Sequence, residues 1–296
     1  MAKTARRVGV IGTGAMGGGI VQSLVRAGFA TVARDIRPEA QTLAVQHGAT
    51  PSISPADLAR SCDIVFIVVV DAAQIETVLF GNDGAAAALA SGSIVLVAST
   101  VDPEYPGMLA PRLATRGITL LDAPVSGGPA KAAQGTMTMM LSGDPVAIER
   151  VRPLLARITG KLFVLGARCG DASTFKIVNN LLAAANLAAA AEAMALARGA
   201  GLDLRQTFEV INASSGASWI FTDRVARALD GDFTPRAAAR ILAKDVGIAV
   251  TVAQRLRVDT PCAHLAEAAF ADALAAGYGD DDDAVLVKRA FEKGGK

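Results

Sequence analysis

The most specific chemical spacing in the chain is a glycine turn near the N-terminus, Gly12-Thr13-Gly14-Ala15-Met16-Gly17. It follows an apolar run at residues 8–11 and opens a helical segment at 15–27. In such a turn the first glycine permits the sharp reversal, the second lets backbone approach a pyrophosphate, and the third lets the helix pack on the strand. The helix N-terminus then offers free N–H groups to phosphate charge. Asp35 ends the next apolar run, 18 residues beyond Gly17. A carboxylate there accepts from a ribose 2′-hydroxyl and repels a 2′-phosphate, so the pattern predicts a dinucleotide site that prefers NAD to NADP. Arg34 and Arg37 flank Asp35 and can either reach a 2′-phosphate or stand solvated. A glycine-rich turn of some other α/β protein is the competing reading.

A second group, Lys176, Asn179 and Asn180, opens a long apolar segment. Lys176 and Asn180 are four residues apart and share one helix face, while Asn179 points about one residue's rotation away. A lysine in apolar surroundings loses solvation of its charged form, which brings its pKa toward the range of a general acid/base. The plainer alternatives are a lysine that snorkels from a helix end and a core amide bonded to a neighbouring helix.

These groups need elements to hold them. Residues 8–11, 30–33, 64–70, 94–98 and 118–121 are short apolar runs, separated by helical patterns that include 15–27, a stretch from Pro38 to His47, and 103–116. Continuous apolar strands separated by helices predict a parallel sheet covered on both faces. Residues 136–141 and 161–165 predict edge strands around a helix at 145–158. From Gly170 onward only helical patterns remain, at 171–199, 203–212, 219–229, 235–256, 261–276 and 283–293. The fold class is therefore α/β: a Rossmann-type dinucleotide-binding domain over residues 1–165, then an all-helical domain over 166–296, joined by a long helix starting near 171.

Composition narrows the function classes. A length of 296 residues fits two domains of roughly 150 residues each. Lys+Arg 29 against Asp+Glu 28 leaves a net charge of +1, without the basic excess of a nucleic-acid binder. A hydrophobic fraction of 52% excludes disorder. The longest apolar stretch, 177–197, contains Asn179, Asn180, Asn186 and Glu192, and so reads as a core helix rather than a membrane span. Residues 1–7 are basic and run directly into a strand, unlike a signal peptide. Cys62, Cys169 and Cys262 have neither metal-ligand nor disulfide spacing, as expected of thiols in a reducing cytoplasm. No metal site is expected. The four aspartates at 280–283 read as a solvated helix N-terminus, and His47 and His264 as surface or helix residues.

Five motifs then occur in order: GTGAMG, STVDP (99–103), DAPVSGGPAKAAQGT (122–136), KIVNN (176–180) and AKD (243–245). Together they resemble the β-hydroxyacid dehydrogenase family, which includes 3-hydroxyisobutyrate dehydrogenase and tartronate semialdehyde reductase. The resemblance covers nearly the whole chain. Within the family, SWIFTDR (218–224), GDFTPRAA (231–238) and the acidic run before VLVK look most like the branch that oxidises L-threonate at its 2-hydroxyl. The chain departs from the family pattern at Ala172, Ala217 and Ala284.

The resemblance implies a role for each matching residue. Lys176 would be the acid/base beside the substrate hydroxyl, and Asn180 would orient the substrate or the lysine. Ser126, Gly127 and Gly128 would hold the substrate carboxylate, in keeping with paired glycines that expose N–H groups. Thr100 would sit near the nicotinamide ribose, Val69 and Val70 would line the cofactor site, and Lys244 would reach cofactor or substrate. Val69 and Val70 can equally be core, and Lys244 can pair with Asp245. The expected activity is NAD-dependent oxidation of a small hydroxy acid such as L-threonate, by a homodimer or homotetramer. A 3-hydroxyisobutyrate dehydrogenase or tartronate semialdehyde reductase is the alternative. An imine reductase on the same fold is expected to lack the catalytic lysine, so Lys176 argues against that reading.

Overall fold

The computed structural model describes residues 7–294. In chain order the elements of the first half are β1 (Val8–Ile11), α1 (Ala15–Arg26), β2 (Thr31–Arg34), α2 (Pro38–Gln46), β3 (Thr50–Pro51), α3 (Pro55–Ser61), β4 (Ile64–Ile67), α4 (Ala72–Phe80), a 3-10 turn (Ala85–Ala87), β5 (Ile94–Val97), α5 (Glu104–Ala114), β6 (Thr119–Asp122), β7 (Val125–Ser126), α6 (Gly128–Gln134), β8 (Met137–Gly143), α7 (Pro145–Leu155) and β9 (Thr159–Gly166). Six of the strands form a parallel sheet in the order β3-β2-β1-β4-β5-β6. β8 joins antiparallel beside β6, β7 pairs antiparallel with β8, and β9 pairs parallel with it. The expected Rossmann-type architecture is present.

Both faces of the sheet are buried because successive strand residues point to opposite sides. Val10, Phe66 and Leu96 enter one apolar cluster with Ile20 and Leu24 of α1 and Ile148 and Val151 of α7. Ile11, Ile67 and Val97 enter the other with Leu58 of α3, Ile75 of α4 and Leu109 of α5. This two-sided burial is the reason the strands read as continuous apolar runs rather than alternating ones.

Two expectations change in this half. The run at 64–70 forms a strand only to Ile67. Val69 N–H bonds the Ser99 hydroxyl at 3.0 Å and Val70 N–H the Gln74 side chain at 2.9 Å, so the chain leaves the ladder there. Helices α3, α4 and α6 are additional to the elements read from periodicity. Two of them carry local start signals, with Ser54 accepting from Asp57 N–H and Asp71 from Gln74 N–H.

The second half contains α8 (Asp171–Gly199), α9 (Leu204–Asn212), α10 (Trp219–Leu229), α11 (Ala239–Leu256), α12 (Pro261–Ala275) and α13 (Val285–Lys293). By packing the chain forms two compact units that divide between Lys176 and Ile177, inside α8, where the sequence reading divided it at 165/166. The helical unit has its own core. Leu187, Ala191 and Met194 of α8 recur at helical spacing and meet Phe221 of α10, Val246 of α11, Phe270 of α12 and Leu286 of α13. α8 is long and apolar enough to span a bilayer by length and composition, and this stripe is buried in protein.

Asp280 is exposed as a solvated helix start requires, but the second half of the aspartate run is not. Asp282 and Asp283 are 0% and 1% exposed. Asp282 accepts from Arg227 at 2.8 Å and from the N–H groups of Arg236, Ala237 and Ala284, and Asp283 is paired with Arg224. Burial pushes the Asp283 carboxyl up to about 6 in spite of that arginine. Burial acts on Asp282 in the same direction, but its backbone hydrogen bonds and Arg224 outweigh it and hold the group below its ordinary value. α11 starts at Ala239 rather than 235, because the N–H groups of Ala239 and Arg240, which would close a first turn from 235, donate instead to the carbonyls of Asp281 and Gly279. Removing one member of a buried pair leaves its partner charged and unpaired. Arg227→Met is therefore expected to destabilise the protein by about 3–5 kcal/mol, read as a lower urea midpoint; an unchanged midpoint contradicts this account of the cluster.

Candidate active site

The glycine turn joins β1 to α1 at the carboxyl edge of the sheet. Gly12 has φ +88°, and a Cβ there would run into the Val68 carbonyl, so only glycine fits. A Cβ on Gly17 would collide with the Gly12 carbonyl oxygen, so this glycine lets α1 begin directly against the turn. Among the described residues, the only atom near an added Cβ at Gly14 is the tip of Arg37, at 3.1 Å. The backbone is thus open where a pyrophosphate would approach. Thr13 is buried, Ala15 exposed, and Met16 packs against the core.

Asp35 is 6% exposed and ties the turn to the end of β2. Its Oδ2 accepts from Thr13 N–H at 2.7 Å, and its Oδ1 accepts from Arg37 N–H at 2.9 Å and Arg37 Nε at 3.2 Å. Burial would raise this carboxyl, but the Arg37 and Thr13 hydrogen bonds outweigh it and keep it below 3.8. Arg34 bonds the Asp35 carbonyl oxygen at 2.6 Å. Of the two flanking arginines, Arg37 is thus the one engaged with the carboxylate.

The end of β4 lies beside this turn, and the end of β5 lies next to that of β4. Val69 is half-buried and Val70 is 38% exposed, so neither is full core. Thr100 follows Ser99, whose hydroxyl holds Val69. The strand order reverses between β1 and β4, the place where open α/β sheets leave a crevice. Because β7 runs in the same sense as β6, Ser126, Gly127 and Gly128 reach this same edge. Gly127 and Gly128 have φ +115° and +77°, so two successive N–H groups sit in a left-handed turn.

Lys176 and Asn180 are 8% and 7% exposed, one turn apart on α8. In the helical unit, Asn180 Nδ2 donates to Asp245 Oδ2 at 2.6 Å, and Lys244 Nζ lies 2.7 Å from Asp245 Oδ1. Asn179 Nδ2 donates to Asn180 Oδ1 at 3.0 Å. Lys244 does pair with Asp245, as one of its two readings had it. In the first unit a further carboxylate, Asp122, accepts from Gly170 N–H, Ser173 N–H and Ser173 Oγ at 2.9, 2.8 and 2.7 Å. Sequence reasoning assigned no role to Asp122 or Asp245. Both stand inside quoted motifs, but the partners they hold at Gly170, Ser173 and Asn180 are 48 to 65 residues away.

Residues 7–166 match the family described as the NAD binding domain of 6-phosphogluconate dehydrogenase, and residues 170–290 the family described as NAD-binding of NADP-dependent 3-hydroxyisobutyrate dehydrogenase. The chain belongs to the β-hydroxyacid dehydrogenase family. It is 46% identical over 283 residues to an L-threonate dehydrogenase of Cupriavidus necator, covering 96% of this chain and 95% of that one. It is 42% identical to an L-threonate dehydrogenase of Escherichia coli K12, covering 95% and 93%. A crystal structure of 3-hydroxyisobutyrate dehydrogenase from Salmonella typhimurium superposes with a TM-score of 0.90 at 40% identity, covering 96% of this chain and 99% of that one.

This dehydrogenase is thus an oxidoreductase acting on CH–OH groups, with an NAD(P)-binding domain. The turn at Gly12–Gly17 and the Asp35 carboxylate fit such a dinucleotide by space and donor set. Gly12→Ala is expected to abolish binding of reduced dinucleotide, measured by its fluorescence titration, because the added methyl must displace the Val68 carbonyl. Wild-type affinity in that variant would contradict the placement of the turn.

Proposed function

We propose that this protein oxidises the 2-hydroxyl of L-threonate or a related four-carbon sugar acid, with NAD as the preferred acceptor and Lys176 as the general acid/base. The observation that carries the substrate is the 46% identity with an L-threonate dehydrogenase over 283 residues. The 3-hydroxyisobutyrate dehydrogenase of known structure keeps oxidation of that acid as a second reading, with tartronate semialdehyde reduction beside it.

In this reading a dinucleotide held by the Gly12–Gly17 turn and Asp35 would supply the hydride acceptor, and the protein's own residues do the rest. Ser126 and the N–H groups of Gly127 and Gly128 receive the substrate carboxylate. Neutral Lys176 takes the hydroxyl proton on Nζ; in the reverse direction its ammonium returns it and steadies the negative oxygen. Asn180, fixed by Asp245, orients substrate or lysine, and Lys244 reaches cofactor or substrate. Thr100, Val69 and Val70 border the nicotinamide end. The helical half, 166–296 by the sequence reading, supplies substrate contacts and assembly surface. The exposed stripe Phe175, Val178 and Leu182 on α8 supports a homodimer or homotetramer, working in the cytoplasm.

Lys176→Ala is expected to lose at least about 10²-fold in kcat with L-threonate while binding NAD as the wild type does; turnover retained alongside lost NAD binding would sink the assignment. Asp35→Ser removes the carboxylate that repels a 2′-phosphate and frees Arg37, so the ratio of kcat/KM for NADP over NAD should rise. An unchanged ratio counts against the role of Asp35. Since the hydrogen bonds from Arg37 and Thr13 hold the Asp35 carboxyl below its ordinary value, it should add no pH dependence to NAD affinity from about pH 5 upward.

A further inference from the structure

α8 begins without a cap of its own. The residue before it, Gly170, has φ +107°, and a Cβ there would strike the Pro103 carbonyl oxygen. A serine or aspartate, the usual source of a side-chain cap, is therefore excluded from that position. The first N–H groups of the helix still need acceptors. They find them in the sheet: Gly170 and Ser173 N–H both donate to Asp122 Oδ2, and Ala172 N–H donates to Ser142 Oγ at 3.0 Å. The Ser173 hydroxyl closes the arrangement on Asp122 Oδ1, and Ser142 Oγ donates to Oδ2 at 3.4 Å. Asp122, Ser142 and Ser173 are all 0% exposed. Asp122 is the last residue of β6, and Ser142 lies opposite it on β8.

Lys176 is three residues beyond Ser173, which is about 4.5 Å along the axis and within one turn. We propose that Asp122 is a positioning residue for Lys176: its carboxylate pins the first turn of α8 to the ends of β6 and β8, and so sets where the lysine amine is presented. The inference rests on Lys176 as the acid/base. The buried carboxylate also faces the N-terminal end of a 29-residue helix, where negative charge is favoured. A displacement of about 1 Å of a catalytic group can cost on the order of 10²-fold in rate, so a loosened first turn should be visible in kcat.

The test compares Asp122→Ala, Asp122→Asn and Ser173→Ala in the full chain by kcat, KM for NAD, KM for the hydroxy acid and melting temperature. Asparagine keeps an oxygen for the two N–H groups and can donate its amide to the Ser173 hydroxyl. Asp122→Ala is expected to lower kcat by about 10²-fold with KM for NAD changed by less than about twofold, and Asp122→Asn to recover most of that loss. Ser173→Ala should lose about tenfold; it decides the matter if Asp122→Ala does not fold. Variants that melt earlier but keep wild-type kcat when folded would overturn the proposal. Lys176→Ala in the same assay separates the two readings: if it retains turnover the acid/base assignment falls, and if it is inactive while the Asp122 and Ser173 variants keep kcat, only the positioning role falls.

Discussion

The start of α8 is the constraint on which the candidate site depends. A helix leaves its first N–H groups without intrahelical partners, and the glycine forced at position 170 removes the local means of satisfying them. A buried carboxylate on the sheet satisfies them instead. That choice couples the geometry of the parallel sheet to the first turns of α8, where Lys176 stands. Burial pushes the Asp122 carboxyl above its ordinary value, against the pull of hydrogen bonds from Ser173, Gly170 and Ser142. Removing those donors would leave a charge with nothing to compensate it.

The same device recurs in the helical unit. Asp282 collects an arginine and three backbone N–H groups, and with them fixes the chain entering α11. α11 in turn carries Lys244 and Asp245, and Asp245 fixes the amide of Asn180. Three buried carboxylates thus hold irregular backbone or a polar side chain next to residues proposed for catalysis or binding. Small apolar residues such as Ala184, Ala190 and Ala191 fill part of the helical core.

What the sequence made legible was local. The strand, turn and helix around Gly12–Gly17 follow from three glycines, a β-branched run and Asp35, all within 28 residues. The bounds of α8 and α10 follow from periodicity, and the structure reproduces both. What escaped depends on partners far along the chain. The aspartates at 280–283 resemble any acidic helix start until Arg224 and Arg227, more than 50 residues earlier, are brought against two of them. The end of β4 at Ile67 depends on Ser99 and Gln74, which draw Val69 and Val70 out of the ladder. Asp122 sits in a motif that was recognised, yet its work is done at residues 170–173.

The central claim is the oxidation of a four-carbon hydroxy acid by a lysine-dependent, NAD-linked site. It is tested most directly by kcat/KM for L-threonate, 3-hydroxyisobutyrate, glycerate and tartronate semialdehyde with purified protein, followed at the absorbance of reduced dinucleotide, with NAD(H) and NADP(H) in parallel. The account predicts the highest value for L-threonate with NAD. No turnover of L-threonate, alongside efficient turnover of 3-hydroxyisobutyrate or of tartronate semialdehyde, would contradict it.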